Sequence, residues 1–194
     1  MTPVGESVST SATASDPTAE RSYLMLLIGD ERRTSDAALG IALRASGHNL
    51  RVHIIEFLKA GRDRGEVAAV QFLAGVTLAQ FGLVNAEQTT EDVEGPPVEP
   101  ERLEAAIRDA EVHIQQRVTN LMIFDGLLTA VDQGLVTEER VLEIVGKAAP
   151  TLDIIMTGVN APDGLREAAD NVTTMETTQS SERHANTLRR GIHY

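Results

Sequence analysis

The chain has 194 residues, with 17 basic and 29 acidic side chains and a formal charge of −12. That length suits one globular domain, and so acidic a chain repels phosphate backbones and anionic bilayers. Cysteine is absent and aromatics make up only 3%, which excludes disulfides and thiolate chemistry and requires an aliphatic core.

Residues 1–20 hold eight Ser/Thr, three acids and no Lys or Arg. Without a basic start or an apolar middle they read as a disordered polar tail rather than a secretory signal. No apolar run reaches the ~18–20 residues that a membrane span needs. A cytoplasmic protein with neither membrane nor nucleic acid as partner is expected.

The periodicity then alternates. Tyr23–Ile28 is a continuous apolar run ending at Gly29, as in a strand buried on both faces. Ser35–Gly47 carries Ala38, Leu39, Ala42 and Leu43 at helical spacing and stops at a glycine. Val52–Phe57 predicts a strand, Glu66–Leu73 a helix and Val76–Phe81 a short strand. Further on, Glu101–Arg117 predicts a helix, Leu121–Asp125 a strand and Leu127–Gln133 a helix. Glu138–Ala148, opened by a capping signal at Thr137, predicts another helix before a strand at Asp153–Thr157. Apolar strands separated by helices predict a three-layer α/β domain with a mainly parallel sheet. Its expected span is 21–176, followed by a C-terminal arm over 177–194.

Asn85–Pro100 interrupts this rhythm with three prolines and one glycine among acids and threonines, and predicts a surface loop. Residues 87–111 carry nine acids against two arginines, and the first twenty residues carry three acids. Most of the charge therefore belongs to the tail, this loop and the helix after it.

In an open parallel sheet, ligands bind at the carboxyl ends of the strands. The turn after the first strand reads Gly29-Asp30-Glu31-Arg32-Arg33-Thr34-Ser35-Asp36. A phosphate-cradling loop has the pattern G-x-x-x-x-G-K-[ST]. Gly29 and Ser35 match its ends, while Arg33 stands at the second glycine and Thr34 at the lysine. Three acids surround them. On this pattern alone, a plain capped connection between strand and helix competes with a degenerate phosphate loop, and the residue types favour the plain connection.

From Tyr23 to Tyr194 the chain resembles the ATP:corrinoid adenosyltransferase family of the P-loop type. The resemblance rests on Ala37–His48 (AALGIALRASGH), Val52–Lys59 (VHIIEFLK), Leu121–Gly126 (LMIFDG), Met156–Pro162 (MTGVNAP), Leu165–Met175 (LREAADNVTTM) and the closing Arg190–Tyr194 (RGIHY). It implies a parallel α/β fold of the P-loop NTPase type, usually a homodimer. It also implies transfer of the 5′-deoxyadenosyl group of Mg·ATP to a cob(I) centre with release of triphosphate.

Residue by residue, the resemblance maps a degenerate phosphate loop onto Gly29, Arg32, Arg33, Thr34 and Ser35. It places Ser35 and Asp125 as Mg²⁺ ligands, should nucleotide bind, and Lys59 and Phe81 on the corrinoid side. Gly126 stands where the family has a glutamate, and Glu56 where it has a glutamine. Phe81 alone remains of an aromatic segment, and Gln179-Ser180-Ser181 replace a Lys-His-Pro run. The departures fall on the parts that would hold ATP and the corrinoid. A degenerate member without normal adenosyl transfer is therefore expected, kept for binding or assembly as a homodimer or as a subunit of a larger complex. An enzyme with a rebuilt loop using Arg32, Arg33, Ser35 and Asp125 is the alternative, and a corrinoid or nucleotide carrier or sensor a third.

The five histidines show no metal-binding spacing in sequence, so no dedicated site is expected among them. His113, four residues from both Asp109 and Arg117, reads as a solvated helix face. Asp125 is the strongest single polar candidate, with capping of the helix at Leu127 as its competing role.

Overall fold

The computed structural model describes residues 21–59, 64–82, 100–179 and 189–192. The expected tail (1–20), residues 85–99 of the acidic loop and most of the C-terminal arm lie outside them.

Six strands form one parallel sheet: β1 (Leu24–Gly29), β2 (Val52–Glu56), β3 (Val76–Gln80), β4 (Leu121–Asp125), β5 (Asp153–Gly158) and β6 (Asn171–Met175). Their spatial order is β3-β2-β4-β5-β1-β6, and every pairing is parallel. The helices between them are α1 (Glu31–Gly47), α2 (Gly65–Val70), α3 (Pro100–Gln116), α4 (Leu127–Asp132), α5 (Glu138–Lys147) and α6 (Asp163–Ala168). The α/β class and the parallel sheet expected from the sequence are what the chain adopts.

The continuous apolar runs follow from burial on both faces of the inner strands. Every residue of β2 and β4 is buried. Alternate residues feed two cores. Leu27, Ile54, Ile123 and Ile155 meet Ala38, Ala42 and Ala45 of α1 on one face. Leu26, Ile55, Phe124 and Met156 meet α3, α4 and α5 on the other. The alanines of α1 let that helix lie close to the sheet, so residues in its first turn reach the strand ends.

Two elements carry no signal in the sequence. β6 (NVTTM) is an edge strand with four exposed positions, so it has no apolar run to read. Helix α6 spans six residues with one buried side chain, Leu165, too short to establish a helical period.

At the end of β1, Gly29 has a φ of 121°, and a Cβ there would lie 2.2 Å from the carbonyl oxygen of Met175 in β6. Glycine is required by both the backbone and the neighbour. Gly29→Ala is expected to lower the unfolding free energy by more than about 2 kcal/mol, read from the urea midpoint.

Candidate functional site

The carboxyl ends of β1, β2, β4 and β5 converge beneath the first turn of α1, and polar side chains are buried there. Glu56 and Asp125 are partners in the β2–β4 register, so both point to the α1 face. Thr157 lies on that face of β5, and Ser35 reaches it from α1.

Asp125 is 1% exposed and fully engaged. Its Oδ1 accepts hydrogen bonds from Ser35 Oγ at 2.7 Å, Thr157 Oγ1 at 2.7 Å and Lys59 Nζ at 3.0 Å. Lys59 Nζ also lies 3.0 Å from Oδ2 and donates to Ser35 Oγ. Thr157 Oγ1 in turn accepts from the Gly126 amide at 2.9 Å. A buried carboxylate survives only when charge and hydrogen bonds compensate for lost water. Here one ammonium and two hydroxyls do so. Asp125 does not cap α4, whose N-cap is Gly126 without a side-chain bond.

Glu56 is wholly buried beside this group. Arg64 Nη1 lies 3.0 Å from its Oε1, out of line for a hydrogen bond, so that contact is an ion pair. Gln80 Nε2 donates to Oε2 at 2.7 Å. Burial pushes the Glu56 carboxyl above its ordinary value, outweighing the opposing pull of Arg64 and the Gln80 bond.

The stretch read as a phosphate-type loop is mostly helix. Helix α1 begins at Glu31, four residues before the expected Ser35 start, because Asp30 caps it: Asp30 Oδ1 accepts from the Arg33 amide at 3.2 Å. The Thr34 amide donates to the Asp30 carbonyl at 2.9 Å, the Gly29 amide to Val159, and the Asp30 amide to Met175. These amides serve the fold and do not converge on one point.

Thr34 is buried with its hydroxyl on the Glu31 carbonyl. Arg32 and Arg33 are exposed, and Arg33 pairs with Asp36 at 3.6 Å. The expected phosphate group therefore divides: Ser35 joins Asp125 and Lys59, while Arg32 and Arg33 stay at the helix surface. Phe81 is half-buried against the core.

Gly126 has a φ of 84°, and a Cβ there would meet Glu31 Oε1 at 3.7 Å. The Glu31 carboxylate thus reaches across the site toward α4, where Thr129 Oγ1 donates to it at 3.3 Å.

The family resemblance singled out Ser35 and Asp125 together and put Lys59 on the corrinoid side, whereas the structure sets Lys59 on Ser35 and Asp125. Sequence reasoning missed the role of Thr157, the pairing of Glu56 with Arg64 and the reach of Glu31. The signal for Thr157 and Glu56 was a polar residue directly after the apolar run of its strand.

A second polar group lies on the opposite face of β2. His53 is buried, with Nδ1 2.7 Å from Thr77 Oγ1 and Nε2 2.6 Å from Asp109 Oδ2. Its ring stacks on His113, centroids 3.6 Å apart and planes 12° from parallel. Burial lowers the pKa of His53, against the opposing bond to Asp109. The expected solvated role of His113 is corrected: helix α3 turns it inward, over the sheet.

Comparison with known proteins bears on the first site. The family model described as ATP:corrinoid adenosyltransferase BtuR/CobO/CobP matches residues 20–194. A corrinoid adenosyltransferase of Pseudomonas aeruginosa is 26% identical over 176 residues, covering 90% of this chain and 85% of the relative. Another from Sinorhizobium sp. is 22% identical over 178 residues, covering 91% and 82%. No helix among the described residues is long and apolar enough to cross a membrane.

Two consequences are measurable. Lys59→Met leaves the Asp125 carboxylate buried without a cation, and about 3 kcal/mol of stability should be lost by urea titration. Adding Asp125→Asn should recover most of it. For Glu56, the folded-state pKa is raised, so its contribution to stability is complete below the ordinary value of 4.5 and is lost as pH rises through the folded value. Glu56→Gln should flatten the decline of thermal stability above pH 4.5.

Proposed function

Because the chain belongs to the ATP:corrinoid adenosyltransferase family, we propose that it is a degenerate member. In this reading it lacks the family's ordinary ATP-dependent transfer and is retained for binding or assembly, as a homodimer or as a subunit of a larger cytoplasmic complex. The observation that carries this reading is the capped, helical start of α1 where a phosphate loop would lie, and the place of Lys59, a residue shared with the family, adds to it. The Lys59 ammonium sits on Ser35 Oγ and both Asp125 oxygens, the oxygens that would otherwise hold Mg²⁺.

A divalent cation prefers oxygen donors and its own waters. A lysine already bonded to those oxygens repels it. The residues therefore do not fit a magnesium ion as they stand, and no step is assigned to one. At the capped start of α1, on the phosphate side, Asp30 takes the Arg33 amide, and the Glu31 carboxylate borders Gly126. Both set negative charge or a filled hydrogen bond where a triphosphate would need open amides. Losing one electrostatic stabiliser of a departing phosphate commonly costs ~10²–10³ in rate, and several are altered together here.

The second reading is an active enzyme with a rebuilt site, and the names of both relatives favour it. In that case Lys59 would swing from Asp125 to a phosphate oxygen. Supplying cation and anion together would then release it from its internal partner. The third reading, a carrier or sensor, keeps one ligand and no transfer.

Isothermal titration calorimetry separates them. With tens of micromolar protein, no heat is expected from Mg·ATP up to about 1 mM. Saturable binding of Mg·ATP, weakened at least tenfold by Lys59→Met, would instead support the rebuilt enzyme. Saturable binding of a cobalamin alone would support the carrier. A single oligomeric species in light scattering, with neither ligand bound, is the outcome expected of an assembly subunit.

A further inference from the structure

The cluster on the α3 face of β2 has no part in the site just described. His53 comes from β2, and Asp109 and His113 come one turn apart from α3. One potential ligand atom from each lies within 4.8 Å of the others. The spacing of histidines in the sequence predicts no such group. It forms because the parallel sheet brings β2 beneath α3, more than fifty residues later in the chain.

The hydrogen bonds around it orient the imidazoles as donors. A carbonyl oxygen can only accept, so the 2.9 Å contact between His113 Nδ1 and the Asp109 carbonyl places a proton on Nδ1. That leaves the Nε2 lone pair of neutral His113 unused. His53 differs: its Nε2 donates to the Asp109 carboxylate at 2.6 Å, and its Nδ1 accepts from the Thr77 hydroxyl at 2.7 Å. Fixing one ring nitrogen by a hydroxyl or carbonyl while the other faces inward is how proteins position histidine for a metal.

We propose that His53, Asp109 and His113 form a binding site for a divalent transition metal. Two imidazole nitrogens and one carboxylate oxygen suit Zn²⁺, Co²⁺ or Ni²⁺ better than Mg²⁺ or Ca²⁺, and the lack of cysteine excludes a thiolate-dependent ion. Binding puts the metal in place of the proton between His53 Nε2 and Asp109, and His53 then carries its one proton on Nδ1, which donates to the Thr77 hydroxyl oxygen. Asp109 and His113 are about one quarter exposed, so water completes the coordination shell and the ion enters from solvent. Their partly exposed places on a helix let both side chains rotate toward the ion. His53, held by the sheet, is the fixed ligand. Bound metal ties α3 to β2.

Metal-free protein titrated with Co²⁺ tests this directly. One Co²⁺ per chain is expected, with visible d–d absorption and a dissociation constant in the micromolar range. Zn²⁺ should displace it and raise the melting temperature. His113→Ala, on a partly exposed helix position, should weaken Co²⁺ at least tenfold and abolish the Zn²⁺-dependent rise, with Asp109→Asn acting likewise. Failure of the wild-type protein to bind Co²⁺ at 1 mM would overturn the proposal. So would equal binding by the His113→Ala and Asp109→Asn variants.

Discussion

A carboxylate stripped of water at the end of β4 constrains everything around it. Asp125 must be compensated by neighbours, and the neighbours come from three separate elements: Ser35 from α1, Thr157 from β5 and Lys59 from the segment after β2. Each bond therefore fixes a relation between parts of the fold. Ser35 holds the first turn of α1 down onto the sheet, and Thr157 passes the constraint to the Gly126 amide at the start of α4. Lys59 ties the exit of β2 to the same point. A buried ion pair of this kind contributes little net stability over an apolar replacement, but it tolerates no partial loss. What it supplies is a set geometry at the strand ends.

Glu56 complicates that geometry. It lies beside Asp125 in register, so two carboxylates end neighbouring strands on one face. Asp125 raises the cost of ionising Glu56, and Arg64 and Lys59 reduce it. Two buried acids thus face two partly exposed bases. With a glutamine at 56, the edge would carry one carboxyl group fewer. The cationic character of Arg64 and Lys59 would then face outward more strongly. The substitution changes the electrostatics of the strand ends without changing the backbone that presents them.

Much of the fold was legible because its inner strands carry continuous apolar runs. β2 and β4 are buried on both faces, and the continuous runs around Ile54 and Ile123 announced it. The edge strand β6 was not legible, because Val172, Thr173 and Thr174 are exposed and obey no burial pattern. At the site, motif positions located Ser35, Lys59 and Asp125, but not the way they combine. The half-matched glycine pattern suggested a loop from Gly29 to Asp36. A capping Asp30 followed by residues that accept helical geometry made it a helix instead. The His53, Asp109 and His113 group was illegible for a different reason. Asp109 and His113 stand one helical turn apart, but His53 joins them only through the sheet order, which no local spacing encodes.

The position of β1 has a consequence for how the chain is made. It pairs with β5 and β6 alone, so Leu26 aligns with Met156 and Val172. During synthesis β1 thus waits for residues about 130 to 146 positions later before its sheet partners exist. Meanwhile β2, β3 and β4 can already pair among themselves. Long-range parallel pairing of this sort slows folding, and it leaves the Leu24–Ile28 run without its sheet neighbours during synthesis. The β3 side of the sheet can thus pair while β1 still has no strand beside it.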